Sequence, residues 1–204
     1  MSAAGGRPLG LTIHVRVKNE ERFVRAALAS VLPLADHVMV YDTGSTDRTL
    51  EEIHAIRSPK IELVRVASLS PSGLAGLRNH MVERTRTEWF MLVDGDEIYA
   101  SDATRRLAAF LPTVPARVHR VLVRRRHFVG SFNVISREDA LGRIYRTRQI
   151  RFGIASVGVQ DRVGHETPYL KDAPMTPWSA YSMTCPAGIE FLHCQYLERS
   201  SAPA

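Results

Sequence analysis

The sequence predicts an α/β fold in which a mostly parallel, Rossmann-like sheet is flanked by helices. Apolar runs begin at residues 11, 37, 61 and 89, and their separations of 26, 24 and 28 residues match repeated strand–helix units. The fourth run, Trp89 to Val93, is continuously apolar and ends in a cluster of acids, as expected of a central strand. After residue 111 the rhythm changes to shorter strands, which predicts an α+β extension of the same single domain.

The first half, residues 9–111, should contain four strands, each followed by a helix. We expect strands over residues 11–17, 37–41 and 61–66 and from residue 89, with helices over 20–32, 46–56, 74–84 and 101–111. Thr46 and either Ser101 or Asp102 are the predicted N-caps, because their side-chain oxygens can accept a backbone hydrogen bond. The second half, residues 112–204, should form strands near 118–128, 143–147, 150–152 and 189–193.

The composition is that of a globular protein, with 204 residues, 45% hydrophobic and 24% charged. No apolar run approaches the roughly 18 residues of a membrane helix, and the N-terminus lacks a signal-peptide pattern. We therefore expect a soluble, cytoplasmic protein without a transmembrane segment. Cys185 and Cys194 lack metal-type spacing, which predicts free thiols.

The net charge of +6 lies in the second half of the chain. Residues 1–111 carry 14 basic and 14 acidic side chains, whereas residues 112–204 carry 13 and 7. A basic half facing acids could hold a diphosphate, an anionic acceptor, a nucleic acid or a membrane surface, or it could serve solubility alone. In the run Arg124 to Arg126, alternation on a strand puts Arg125 on the face opposite its neighbours, so at most one face could serve a site.

The acidic turn Asp94-Gly95-Asp96-Glu97 is the main candidate for chemistry. It follows a central strand, and ligands of open α/β sheets bind at the carboxyl ends of strands. Gly95 should let the backbone turn so that Asp94 and Asp96 converge, and paired carboxylates suit Mg²⁺ or Mn²⁺ completed by substrate phosphates. The alternative is a simple Asp-Gly turn that ends the strand.

The loops after the first two strands are polar. The sequence contains neither the glycine fingerprint of dinucleotide-binding folds nor a P-loop, which argues against both kinds of site. Asn19 and Asp42 could receive a nucleotide, and Gly44 would permit close approach of the backbone. Alternatively, Asn19 could simply cap a helix, and the loop that begins at Asp42 could simply be a turn that leads into a helix.

Four segments together resemble the family-two glycosyltransferases of the GT-A fold. They are 17–21, 42–49, Arg78-Asn79 and 94–97, in the order and spacing of that family, and the likeness covers residues 9–111 well. The resemblance implies that the first two loops hold the nucleotide, that Arg78 lies near the diphosphate, and that the acidic pair contacts ribose and metal, with Asp96 the principal ligand. The implied nucleotide-sugar-binding residues are Val17, Asn19, Glu21, Asp42, Gly44, Ser45, Asp47, Arg78, Asp94 and Gly95, and Asp94 and Asp96 are the implied metal ligands.

The second half is more loosely similar to a bacterial subgroup that glycosylates lipopolysaccharide cores or proteins. The short matching segments are 143–146, Arg151-Phe152, 164–166, and His193 with Tyr196. An inverting transfer needs a carboxylate to take the proton of the acceptor hydroxyl, and we expect Glu166, or else Asp161, to do so. His193 and His165 are the candidates for an additional metal ligand.

The predicted function is an inverting glycosyltransferase that depends on Mn²⁺ or Mg²⁺. It would move a sugar from a nucleoside-diphosphate donor, most simply a UDP-sugar, to a hydroxyl group on a saccharide, lipid-linked glycan, protein or DNA. Two alternatives stay open: a catalytically inactive nucleotide-sugar-binding protein, and a protein directed to nucleic acid, suggested by the basic half.

Overall fold

The structure is a computed structural model that describes residues 10–66, 71–154, 166–171, 178–198 and 200. In the first half, strands and helices alternate: β1 (Leu11–Val17), α1 (Val24–Val31), β2 (His37–Asp42), α2 (Thr49–His54), β3 (Ile61–Arg65), α3 (Pro71–Arg84), β4 (Trp89–Asp94), β5 (Glu97–Tyr99) and α4 (Ser101–Phe110). The second half is built from strands: β6 (Arg120–Val129), β7 (Ser131–Arg146), β8 (Ile150–Ile154), β9 (Glu166–Leu170), β10 (Ser182–Thr184) and β11 (Glu190–Tyr196).

The main sheet has the strand order β3-β2-β1-β4-β7-β6-β11-β5, and β10 also pairs with β6. Strands β3, β2, β1 and β4 are parallel, whereas β7 runs antiparallel to both β4 and β6. Strands β8 and β9 form a separate antiparallel pair. This arrangement confirms the predicted α/β fold class, with strand–helix units on one side and an α+β extension on the other.

Strand β4 lies at the centre because both of its faces are covered. Trp89 packs in a core shared with β1, α1 and α4, while Phe90 packs on the opposite face in a core shared with α3 and β8. The five residues from Trp89 to Val93 are all buried, which is the physical reason for the continuous apolar run. This packing on both faces holds the end of β4, and therefore the acidic turn that follows it, in a defined position.

The predicted starts of helices α1 and α2 and the predicted N-cap residues were wrong. Helix α2 begins at Thr49 instead of residue 46, whereas α4 begins at Ser101 as predicted. Neither helix has a side-chain cap from Thr46, Ser101 or Asp102, since the N-cap residues are Arg48 and Ala100. Helix α1 begins only at Val24, because residues 20–23 form a turn in which the Phe23 N–H donates to the Glu20 carbonyl. Loop contacts outside the local sequence pattern cause these shifts.

Strand β7 is far longer than the predicted segment 143–147. It runs for 16 residues and forms a hairpin with β6 through Gly130, whose φ of 66° favours glycine. The register with β6 is interrupted in three places, which explains why the sequence lacks a clean alternation here. The hairpin extends well past the end of β4.

Two predictions from composition can be compared with the structure. Cys185 and Cys194 are both free and buried, as predicted. In the described part of the chain, every helix is too short or too polar to cross a lipid bilayer.

Candidate active site

A cavity of about 460 Å³ opens at the carboxyl edge of the sheet, where β1 and β4 end. It is bounded by the loop after β1, the acidic turn after β4, and strands of the second half. Its lining therefore combines acids and cations from both halves, namely Arg16, Val17, Lys18, Glu20, Thr43, Asp94, Gly95, Asp96, Arg125, Arg143, His193 and Gln195.

The acidic turn is packed closely against the loop after β1. A β-carbon on Gly95 would lie 2.8 Å from Cγ of Glu20 and 3.1 Å from a methyl group of Val17. The backbone does turn at Gly95 and Asp96, between β4 and β5, but Gly95 is not among the residues with positive φ. Its role is the close approach of two loops, which only the absence of a side chain allows.

Asp94 faces two arginines from different elements. Its Oδ2 accepts a hydrogen bond from Nη2 of Arg143 at 2.9 Å, and its Oδ1 lies 3.8 Å from Nη2 of Arg78 in α3. Burial would raise the pKa of Asp94, but Arg143 and then Arg78 lower this pKa to about 2. Asp94 is therefore anionic at neutral pH, and its negative charge is balanced by protein cations.

Glu97 shares the same arginine but lies deeper. Its side chain is fully buried and accepts from Nη2 of Arg143 and, through Oε2, from the backbone N–H of Asp94 at 3.2 Å. Burial raises the pKa of Glu97 to about 8, against the opposing charge of Arg143. The pKa values of two carboxyls on one turn are thus driven in opposite directions.

Asp96 contacts β11. Its Oδ1 lies 3.5 Å from Nε2 of His193, and both side chains are less than a tenth exposed. The ring of His193 also lies 4.9 Å from the ring of His127, centroid to centroid. A carboxylate oxygen and an imidazole nitrogen at this spacing could serve as adjacent ligands of one divalent cation.

The described residues contain no group of three or more His, Cys, Asp or Glu arranged to hold a metal. The pair Asp96 and His193 is thus a partial ligand set, which leaves coordination positions for substrate oxygens. Asp94, also predicted as a ligand, is instead paired with Arg143 and Arg78.

The loops after β1 and β2 are joined by hydrogen bonds. Asn19, whose φ is 56°, donates from its backbone to Oγ of Ser45 and accepts from the Thr46 N–H. Glu21 donates from its backbone to Oδ2 of Asp47 and accepts from the Arg48 N–H. These predicted nucleotide-binding residues therefore fix the two loops against each other.

Asp42 and Gly44 shape the second loop. The Asp42 carboxylate is buried and accepts from the Ser45 N–H at 3.1 Å, and its Oδ2 lies 3.9 Å from Nε of Arg65. Gly44 has a φ of 99°, which few residues other than glycine adopt. Neither residue lines the cavity, whereas the neighbouring Thr43 does.

The predicted residues of the second half are only partly described. The backbone of Glu166 lies opposite Ile154 in the β8–β9 pair, and Asp161 and His165 lie outside the described residues. Of the three consecutive arginines, Arg125 alone lines the cavity, where it makes two hydrogen bonds to Asp139. The predicted alternation along this strand is therefore confirmed.

Sequence reasoning gave no individual role to Arg143 or to Glu97, although Glu97 belongs to the predicted acidic turn. Arg143 was noted only within a motif, although a lone arginine in the apolar segment 141–145 is itself a signal of a buried ion pair. Glu97 follows the acidic pair directly, but its burial depends on β11, which pairs with β5 from nearly 100 residues away. Only the tertiary structure reveals that contact.

The comparisons with known proteins agree with this geometry. The sequence matches the family described as Glycosyl transferase family 2 over residues 12–173. The structure is similar to S. aureus TarS 1–349 in complex with UDP-GlcNAc, with a TM-score of 0.63, 18% identity, and coverage of 96% of this chain and 62% of that chain. It is also similar to the mannosyltransferase PcManGT from Pyrobaculum calidifontis in complex with GDP-Man and Mn²⁺, with a TM-score of 0.58, 16% identity, and coverage of 92% and 57%.

At this level of identity the two structures support the fold alone. The chain spans less than two thirds of the length of either structure. No curated protein matches the sequence.

Proposed function

Because this chain belongs to glycosyl transferase family 2, we propose that it transfers a sugar from a nucleoside-diphosphate donor to a hydroxyl group, with inversion at the anomeric carbon. The proposed donor is a UDP-sugar and the proposed cofactor is Mn²⁺ or Mg²⁺. TarS and PcManGT were crystallised with UDP-GlcNAc and with GDP-Man and Mn²⁺, respectively, which is consistent with a donor and a cation of this kind.

One observation carries the proposal: acids and cations from both halves of the chain meet in one cavity at the carboxyl edge of the sheet. Asp96 and His193 lie on one side of it, and Arg143 with Asp94 lies on another. A nucleoside diphosphate carries negative charge that needs cations, and a divalent metal needs oxygen or nitrogen ligands. The lining of this one cavity includes both.

The residues present fit a divalent cation. The oxygen of Asp96 and the nitrogen of His193 are 3.5 Å apart, which suits neighbouring positions in one coordination shell. When bound there, the cation would act as a Lewis acid on the leaving diphosphate. Two protein ligands leave the remaining positions to phosphate oxygens and water.

The chain's own residues supply the other parts of the reaction. Arg78 and Arg143 hold Asp94 in its anionic form, and we assign Asp94 to the ribose side of the donor. The joined loops that contain Asn19 and Ser45 form the wall for the nucleotide. Glu166, with Asp161 as the alternative, would take the proton of the acceptor hydroxyl as it attacks the anomeric carbon.

The proposal is tested by donor turnover. Release of nucleoside diphosphate should be measured with Mn²⁺ across a panel of UDP-sugars and GDP-mannose, for the wild type and for Asp96→Ala. We expect Asp96→Ala to lower turnover by about 100-fold or more, since a principal metal ligand is lost. The matched control is Asp102→Ala, which removes a half-exposed acid of α4 and should leave turnover unchanged.

Turnover that persists undiminished in Asp96→Ala would exclude this mechanism. Tight binding of UDP without turnover of any donor would instead support a nucleotide-sugar-binding protein.

A further inference from the structure

Exposed apolar side chains are concentrated at the turn of the β6–β7 hairpin. Six large hydrophobic side chains are exposed among the described residues. Four of them lie on the hairpin, and a fifth, Tyr196, pairs with Val129 at its end. We call this group the apolar tip: Val129, Phe132, Val134, Ile135 and Tyr196. The sixth, Met183, is in β10, which pairs with the opposite end of β6.

The apolar tip lies beyond the edge of the sheet that carries the cavity. Met91 is opposite Ile144, and from there β4 continues three residues to Asp94, whereas β7 extends thirteen residues back to Ser131. The hairpin thus exceeds β4 by ten residues, or up to about 30 Å of extended chain. It projects on the side of the cavity mouth.

Aromatic contacts hold the base of the tip beside the first loop. The ring of Phe132 lies 5.1 Å from that of Phe128 and 6.3 Å from that of Phe23, measured between centroids. Phe23 follows the loop that contains Lys18 and Glu20, and both of these residues line the cavity. The apolar tip and the mouth of the cavity therefore lie on the same side of the protein.

The apolar tip is exposed where the pairing of the hairpin is irregular. Phe132, Val134 and Ile135 are 60%, 53% and 47% exposed, and residues 132–134 of β7 lie between the two positions that pair with Val129 and Phe128. Soluble proteins rarely expose several large apolar side chains on neighbouring residues, and such groups mark contacts with other proteins or with membranes. The charges beside the tip distinguish between these two kinds of partner.

Three cations lie close in sequence to Phe23, whose ring contacts Phe132 of the tip. Lys18 is exposed and has no ion-pair partner among the described residues. Arg22 and Arg25 have side chains 48% and 62% exposed, although each lies within 4 Å of a carboxylate. The whole excess charge of +6 also lies in the half of the chain that forms the hairpin. An apolar projection with basic neighbours is complementary to an anionic lipid surface.

We propose that the apolar tip inserts into the interfacial layer of a bilayer containing anionic phospholipid, with the flanking cations at the headgroups. The mouth of the cavity would then lie at the membrane surface. If the proposed function also holds, the acceptor is a lipid-linked molecule presented there. The membrane contact itself does not depend on that function.

The test is flotation of the purified full chain with vesicles, without donor or metal. Vesicles of phosphatidylcholine are compared with vesicles that also contain phosphatidylglycerol. We expect the wild type to float with the anionic vesicles and the double variant Phe132→Asp/Val134→Asp to lose about tenfold or more of its partitioning. Met183→Asp is the matched control, because it adds the same charge at an exposed hydrophobic residue away from the tip, and it should float like the wild type.

Val134→Asp alone serves as a second variant, because Phe132 has ring contacts whose loss could disturb folding; it should also reduce flotation. Far-UV circular dichroism and the thermal midpoint check that each variant is folded. The proposal is overturned if the wild type does not bind anionic vesicles, or if the folded tip variants bind as well as the wild type. It is also overturned if the tip variants turn a dimer into a monomer while vesicle binding is unchanged. Donor turnover plays no part in any of these results.

Discussion

The two edges of the parallel part of the sheet each carry a cavity, and they differ in how their polar side chains are paired. The cavity at the amino edge is the larger, about 600 Å³ against about 460 Å³. There Thr12 bonds to Thr87, and Arg84 pairs with a single acid, Glu62, and with the hydroxyl of Tyr41. At the carboxyl edge, by contrast, two acids of the turn after β4 share one arginine.

The contrast shows why size alone does not locate a site. The ion pair of Arg84 and Glu62 is partly exposed to solvent, so forming or breaking it changes the free energy of unfolding very little. Asp94, Glu97 and Arg143 form a cluster in which two carboxylates share one guanidinium. Keeping these charges together in a buried place costs free energy, and their perturbed pKa values mark a candidate functional site.

The largest expected effect follows removal of the shared cation. Arg143→Met should lower the free energy of unfolding by about 3–5 kcal/mol, because it leaves Asp94 and Glu97 near each other without their common partner. Urea denaturation at neutral pH measures the change. Arg143→Lys keeps the charge but loses the planar fork, and it should fall between the wild type and Arg143→Met.

Adding Asp94→Asn to Arg143→Met should recover part of the lost stability, because Asp94 is the acid that is charged at neutral pH. An Arg143→Met variant within about 1 kcal/mol of the wild type would mean that the cluster has no special electrostatic role.

The next effect concerns the pH dependence of stability. The pKa of Glu97 in the folded protein, about 8, is above its ordinary value of 4.5. The folded state therefore holds this proton more tightly, and the resulting stabilisation is complete below about pH 4.5 and is lost as the pH rises through about 8. Between these values the wild type should lose about 1.4 kcal/mol per pH unit relative to Glu97→Gln.

The measurement is a series of denaturation curves for both proteins from pH 5 to pH 8, at intervals of about one unit. A difference in stability between the two proteins that stays constant across this range would show that Glu97 is already ionised in the folded protein.

The smallest effect is expected at the amino edge. Arg84→Met removes an ion pair whose members are 40% and 32% exposed, so stability should change by less than about 1 kcal/mol. The affinity for UDP, measured by calorimetry, should be unchanged. A loss of UDP affinity of about tenfold or more in Arg84→Met would mean that the nucleotide binds at the amino edge of the sheet instead.

The parallel part of the fold could be predicted from the sequence because its signals are local. The strand bounds of β1 were predicted correctly, and the acid-terminated run from Trp89 did become a central strand. In such units the hydrophobic pattern and the order of the elements largely determine the topology. The acidic pair could be found for the same reason, since it directly follows a buried strand.

The partners of those acids could be predicted only in part: His193 was a candidate metal ligand, whereas Arg143 was given no role. Arg143 and His193 reach the acidic turn through strand pairings that join β4 to β7 and β5 to β11 across long sequence separations. The hairpin of β6 and β7 was underestimated because register shifts interrupt its alternation. The start of α2 was misplaced because Thr46 does not cap a helix: its backbone N–H donates to Asn19 of the first loop. Asp47 instead accepts from the backbone N–H of Thr49, where the helix begins.

The most direct test of the site is the coupling between Mn²⁺ and UDP binding. Calorimetry should be run with UDP in the presence and absence of Mn²⁺, on the wild type and on Asp96→Ala. We predict that Mn²⁺ strengthens UDP binding by about tenfold or more in the wild type and has no such effect in Asp96→Ala, because in the proposed site Asp96 and His193, 3.5 Å apart, would hold the cation against the diphosphate. An equal gain from Mn²⁺ in both proteins would contradict this assignment.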